Sequence, residues 1–198
     1  MRLWFGLIGL AFVLGSCFFG SSLIMTDADI GDSINLVLNP SFNPYSESGK
    51  DALKGWDIHV EPRDPNFDKI IVDPLEALEG KTSLRISASE HDVMLLSSPF
   101  KVRRYGAYYC RISAKTDSPQ APQLTFRMIT FKENGKITNR FKKKFTPGED
   151  WTKATISAGF LKPGVNFGRI AILIPPFAEG SIWLDDAGSW EVHGFNID

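Results

Sequence analysis

The run Gln123-Leu124-Thr125-Phe126-Arg127-Met128-Ile129-Thr130-Phe131 passes through Lys132-Glu133-Asn134-Gly135-Lys136 into Ile137-Thr138-Asn139-Arg140-Phe141-Lys142-Lys143-Lys144-Phe145. Along its first arm Leu124, Phe126 and Met128 share one parity, and Arg127, Ile129 and Phe131 share the other. A period of two belongs to a strand, because successive side chains leave opposite faces of a pleated backbone. Asn134-Gly135 tolerates the positive φ that a tight hairpin turn demands. The stretch therefore predicts an antiparallel hairpin with one buried face and one open face.

Segments of the same kind recur in both directions. Ile34–Leu38, Trp56–Val60, Lys69–Val72, Ser83–Ala88, Val93–Leu96 and Tyr105–Ala114 precede the hairpin; Trp151–Ser157, Gly168–Ile174 and Ser181–Trp190 follow it. Pro147-Gly148 and Lys162-Pro163-Gly164 punctuate the later ones. No long amphipathic helix interrupts them, and Pro74 to Gly80 allows at most a turn or two. Many short strands at this spacing predict a single all-β domain over residues 34–198, a sandwich or jelly roll. The chain has 198 residues, of which 43% are hydrophobic, enough for one packed core. A net charge of -1 argues against nucleic acid as the partner.

The N-terminus carries a separate signal. Arg2 is followed by Leu3 to Leu14, a 12-residue run without a charge and too short to span a bilayer comfortably. It runs straight into Leu14-Gly15-Ser16-Cys17. Small residues before a Cys admit a peptidase, and the thiol can carry a diacylglycerol, so this stretch is similar to the lipobox of bacterial lipoproteins. Residues 1–16 are expected to be the signal peptide, with Cys17 lipidated and residues 17–33 a flexible tether. That locates the protein in the cell envelope, anchored by lipid to a bacterial membrane. Cys110 is then left without a partner and reads as a small buried thiol.

Four segments in order resemble the galactose-binding-like jelly rolls of carbohydrate-binding module families four, nine and twenty-two. Asn35-Leu36-Val37-Leu38-Asn39-Pro40-Ser41-Phe42, with Gly55-Trp56 after it, resembles their opening strand and turn. Glu79-Gly80-Lys81-Thr82-Ser83-Leu84-Arg85-Ile86 is similar to their loop and strand, and Tyr108 to Lys115 to a central strand. Trp151 begins a later strand, and Gly180-Ser181-Ile182-Trp183-Leu184-Asp185-Asp186 closes the domain. The resemblance implies a jelly-roll β-sandwich of two antiparallel sheets and a non-catalytic role in binding a poly- or oligosaccharide. It also implies a structural calcium, here joining Asn43 to Asp185. The sequence departs from the pattern at Pro40 and at Asn43, where a neutral amide replaces the usual acid.

Parity sorts the candidate binding residues. Tyr108, Cys110, Ile112 and Ala114 take the core side, leaving Tyr109, Arg111 and Ser113 opposite; Trp56, Ile58 and Val60 leave Asp57, His59 and Glu61 opposite. Tyr109, Arg111, Arg127 and His59 are thus expected to form one carbohydrate-binding patch, in which rings bury the apolar faces of pyranoses and charged donors fix their hydroxyls. Trp151, Trp183 and Trp190 read as core, and His91 and His193 as isolated. The basic run Arg140 to Lys144 reads as a solvent-facing strand that discourages edge pairing, and it would also suit an anionic glycan or a lipid headgroup.

The chain has no Gly-x-Ser-x-Gly elbow, no metal-spaced His pair and no phosphate loop. Glu61, Asp64 and Asp68 leave a small glycoside hydrolase or polysaccharide lyase as one alternative. A structural or protein-interaction lipoprotein on the same scaffold is the other, because fold does not dictate function.

Overall fold

The computed structural model describes residues 24–43 and 53–194; Cys17 and the signal region lie outside them. Eleven strands follow in chain order: β1 (Trp56–Glu61), β2 (Ile70–Asp73), β3 (Ser83–Ser89), β4 (Asp92–Ser97), β5 (Phe100–Lys101), β6 (Gly106–Thr116), β7 (Leu124–Phe131), β8 (Ile137–Phe145), β9 (Thr152–Ala158), β10 (Phe167–Ile174) and β11 (Phe177–Gly194). One sheet, called A here, runs β1-β4-β10-β7-β8, with β5 also paired to β10. Sheet B runs β2-β3-β11-β6-β9. Every pairing is antiparallel. Among the described residues there is no α-helix, only a 3-10 turn at Asp27–Asp29. The jelly-roll sandwich expected from the sequence is the observed architecture.

The β7–β8 hairpin forms where the sequence placed it. Gly135 adopts φ 78, its N–H donates to the Lys132 carbonyl at 2.9 Å, and the Asn134 side chain accepts from the Lys136 N–H at 3.1 Å. Leu124, Phe126 and Met128 are fully buried, as are Tyr108, Cys110, Ile112 and Ala114 on the facing sheet. These side chains join Leu84, Ile86, Ile170, Ile172 and Leu184 in the core between the sheets. Burial pushes the Cys110 thiol up to about 12, so it stays protonated and packs as a small apolar group.

Ile34–Leu38 does not become a regular strand. It touches β11 through Leu36, whose N–H donates to the Ser189 carbonyl at 2.8 Å, and through Asn35. Register shifts in β11 between Asp185 and Gly188 prevent an even ladder there. The Asn39–Phe42 turn beyond it is anchored by Trp56, whose ring packs tilted against Phe42 with centroids 4.9 Å apart and whose indole N–H donates to the Asn39 carbonyl.

Residues 24–33, expected as part of the tether, lie against sheet B. The Met25 N–H donates to Ser157 Oγ at 3.0 Å, and the Met25 side chain is 6% exposed in a small second core with Ala107, Tyr109 and Trp190. Tyr109 and Trp190 supply the reason: two large rings on one outer face would otherwise expose a wide apolar surface.

Candidate functional site

The two sheets turn very different outer faces to their surroundings. On sheet B the expected patch is covered. Tyr109 points away from the main core, as its parity requires, yet it is 2% exposed because Met25 and Ile30 close over it. Its hydroxyl donates to Asp27 Oδ1 at 2.9 Å. Arg111 lies beside it with its guanidinium 4.8 Å from the Trp190 ring centroid. It donates to Asp27 at 3.0 Å and to Asp186 at 2.6 Å, and Glu79 lies 3.6 Å away. Burial pushes the Asp27 carboxyl up, but hydrogen bonds from Lys153, Arg111 and Tyr109 outweigh that and hold it at about 2. Trp190 lies over Gly188, where a Cβ would fall 1.9 Å from the indole. Trp183 and Trp190 are therefore buried outside the sandwich rather than within it.

The loop 74–80 covers the rest of that face. Lys115 pairs with Glu76 at 2.7 Å and sits 5.3 Å from the Trp183 ring, and the Trp183 indole donates to Asp73 at 2.9 Å. Asp185 Oδ2 accepts the N–H groups of Leu78 and Glu79 at 2.8 and 2.9 Å, while Oδ1 accepts that of Asp186 at 2.7 Å. Both oxygens of this fully buried carboxylate are thus taken by main-chain donors. Asn43 Oδ1 lies 3.2 Å from the Thr82 hydroxyl, which also faces the Ser41 and Phe42 carbonyls at 3.4 and 3.2 Å. Calcium takes six to eight oxygens, preferably including carboxylates. Asn43 with two carbonyls does not make such a shell, and among the described residues no group of three or more His, Cys, Asp or Glu could hold a metal. As arranged, Asn43 and Asp185 serve as loop anchors and do not fit calcium.

Arg127 and His59 belong to sheet A, on the opposite side of the molecule from Tyr109 and Arg111. The four residues do not form one patch. Parity put all four outside the core, but parity along a strand does not reveal which sheet the strand joins.

Sheet A's outer face can be read from its register. One row runs Asp57, Leu96, Ala171, Arg127, Lys142 across five strands. The row on one side runs His59, Met94, Leu173, Thr125, Lys144. On the other side lie Arg169, Ile129 and Arg140, then Lys101, Phe167, Phe131 and Ile137. His59 shares this face with Arg127 but stands three strands away, about 14 Å at the usual strand spacing. Phe131 and Phe167 stack with centroids 5.8 Å apart, and the Arg169 guanidinium sits 5.7 Å from the Phe131 centroid. Ala171 is fully buried and Leu96 is 9% exposed although both point outward, so longer neighbours rise around a low centre. Here a shelf of rings and aliphatic groups lies beside planar cationic donors.

Sequence reasoning named Arg127, Ile129 and Phe131 on this face and missed Phe167, Arg169, Met94 and Leu96. The signal was present in Phe167-Gly168-Arg169-Ile170-Ala171-Ile172, where Ile170 and Ile172 take the core parity and leave Phe167 and Arg169 opposite.

No protein-family model matches the sequence, and no curated protein matches it. Solved structures do match the fold. A family 61 carbohydrate-binding module in complex with beta-1,4-galactotriose aligns with 14% identity and a TM-score of 0.55, over 80% of this chain and 99% of that one. The CBM22-1 xylan-binding domain from Paenibacillus barcinonensis aligns with 16% identity and a TM-score of 0.53, over 82% and 97%. The enzymatically active domain of a bacteriophage CBA120 tailspike protein also matches, with 13% identity and a TM-score of 0.60, over 79% of this chain and 21% of that one. The chain is similar to these proteins in architecture: it has the jelly-roll β-sandwich fold that carbohydrate-binding modules share.

Proposed function

We propose that the protein is a non-catalytic carbohydrate-binding lipoprotein, held to a bacterial membrane through Cys17 and binding a poly- or oligosaccharide on the outer face of sheet A. The observation that carries the reading is the open shelf of Phe131 and Phe167 with Arg169 and Arg127 beside it. Sugar rings present apolar C–H faces to such a shelf and hydroxyls to such donors. The carbohydrate-binding modules of the same fold support this use of the scaffold. Sheet B's outer face is closed by this chain's own residues and offers no comparable surface. On sheet A the carboxylates Asp57 and Glu61 on β1 and Asp92 on β4 lie toward one edge, and among the described residues Glu133 is the carboxylate that lines the pocket beside Phe167. A glycosidase needs two carboxylates flanking the bond, so the arrangement favours binding over bond cleavage.

The test is a screen of the purified full chain against a polysaccharide array, followed by titration calorimetry with the best ligand. Phe131→Ala is expected to lower affinity roughly tenfold or more while the melting curve stays cooperative. If no glycan binds a folded protein, the reading fails. Mass spectrometry of the membrane fraction tests the anchor: a diacylglyceryl group on an N-terminal Cys17 is expected, and an unmodified Cys17 within an intact peptide overturns it.

A further inference from the structure

The strands of sheet A carry more positive charge on their outer face than a neutral sugar needs. Arg127 and Lys142 stand directly opposite each other on β7 and β8, and Arg140 and Lys144 lie in the flanking rows of β8. Arg169 on β10 stands opposite Ile129, between Arg127 and Phe131 on the neighbouring strand. Among the described residues none of these five cations forms an ion pair. Arg169 Nε is buried and has no hydrogen-bond partner. Like charges directly opposite on neighbouring strands destabilise a sheet, and a buried polar atom without a partner costs free energy as well.

Edge protection explains only part of this. β8 is an edge strand, where lysines discourage pairing with another chain. Arg127 and Arg169 lie on β7 and β10, both interior strands with neighbours on each side, where no edge needs guarding. Sheet B shows the contrast: its outer-face Arg111 and Lys115 are each matched by carboxylates. The strands of sheet A carry their outward carboxylates, Asp57 and Glu61 on β1 and Asp92 opposite Glu61 on β4, toward the edge away from Arg127 on β7. Among the described residues, the cations that line this half of the glycan shelf form no ion pair with a carboxylate.

We infer that the ligand of this face is an acidic polysaccharide, one carrying carboxylate or sulfate groups along its chain, with Arg127, Arg169, Arg140 and Lys142 taking the anions and Phe131 and Phe167 taking the sugar rings. The inference rests on the carbohydrate-binding reading and narrows it. Arginine suits this task because its planar fork meets carboxylate and sulfate oxygens two at a time. A glycan lying across rows spaced by adjacent strands would put successive anions against successive cations.

The experiment uses the full chain with four probes: polygalacturonate, a sulfated galactan, neutral galactan, and vesicles of phosphatidylglycerol in phosphatidylcholine. Binding to one or both acidic polysaccharides, at least tenfold tighter than to the neutral one, is expected. Polygalacturonate against the sulfated galactan separates carboxylate from sulfate as the anion. The affinity should fall as salt rises, because charge pairs at a surface are screened. Arg127→Gln should weaken that binding roughly tenfold, and Lys81→Gln, outside this face, should leave it unchanged. The exposed Arg140→Gln serves as a second variant if Arg127→Gln lowers the melting temperature. Tight binding to neutral galactan alone would overturn the acidic class while keeping the carbohydrate-binding reading. Binding to the vesicles with no polysaccharide would overturn both.

Discussion

The outer faces of the two sheets are built from the same alternating strands, yet one is closed and the other open. Sheet B's face carries Tyr109, Trp183 and Trp190, and the chain covers them with Met25, Ile30 and the loop 74–80. Its cations are neutralised where they stand, Arg111 by Asp27 and Asp186 and Lys115 by Glu76. Sheet A's face carries Phe131, Phe167, Arg127 and Arg169, all half-buried, so each keeps part of its surface accessible. The difference teaches that composition does not identify a binding face. Aromatic and arginine side chains on sheet B stabilise the fold, and the same residue types on sheet A are left for a partner.

The comparison breaks most easily at Tyr109. Tyr109→Ala should remove a ring from the second core and the hydroxyl that binds Asp27, at a cost of about 3 kcal/mol, the lower end for deleting a large buried ring. Arg127→Gln, on the open face, should change stability by no more than about 0.5 kcal/mol. Denaturant melts of the two variants measure the contrast; equal losses would mean that the two faces are not different in kind.

Acid should loosen the covered face before the rest. The Asp27 carboxyl is held at about 2, below the usual carboxylate value near 4. Its contribution is fully present above pH 4 and is lost as pH falls through 2, because protonation ends its pairing with Lys153 and Arg111. With the side chain 45% exposed, solvent screening reduces this contribution to roughly 1 kcal/mol. Protection of the Met25 amide, taken relative to its intrinsic exchange rate at each pH, should fall below pH 4 while amides of β7 stay protected; an unchanged protection factor at pH 2.5 would show that the Asp27 pairs do not hold the segment down.

The smallest effect is expected from calcium. Asp185 already has both oxygens occupied by main-chain N–H groups, so added calcium or chelator should move the melting temperature by less than about 1 °C. A clear rise with calcium would mean that Asp185 exchanges those hydrogen bonds for an ion, and that the loop 74–80 over sheet B depends on the metal.

The sequence by itself determined the long strands, their parity and the class of fold, though not the irregular course of Ile34–Leu38 or the short β5. Those properties are local: a two-residue period and an Asn-Gly turn report backbone geometry within a few residues, so Leu124, Phe126, Met128, Cys110 and Ile112 could be assigned to the core without knowing their neighbours. Parity also put Tyr109, Arg111, Arg127 and His59 outside that core, correctly. Which of them face each other was a matter for the tertiary structure alone. β6 joins sheet B and β7 joins sheet A although they are consecutive in the chain, so Arg111 and Arg127 end on opposite sides of the sandwich. The cover over Tyr109 was equally illegible. It depends on Met25 and Asp27 meeting β6 more than 80 residues away in sequence, and no periodicity within a segment of ten residues encodes a contact at that distance.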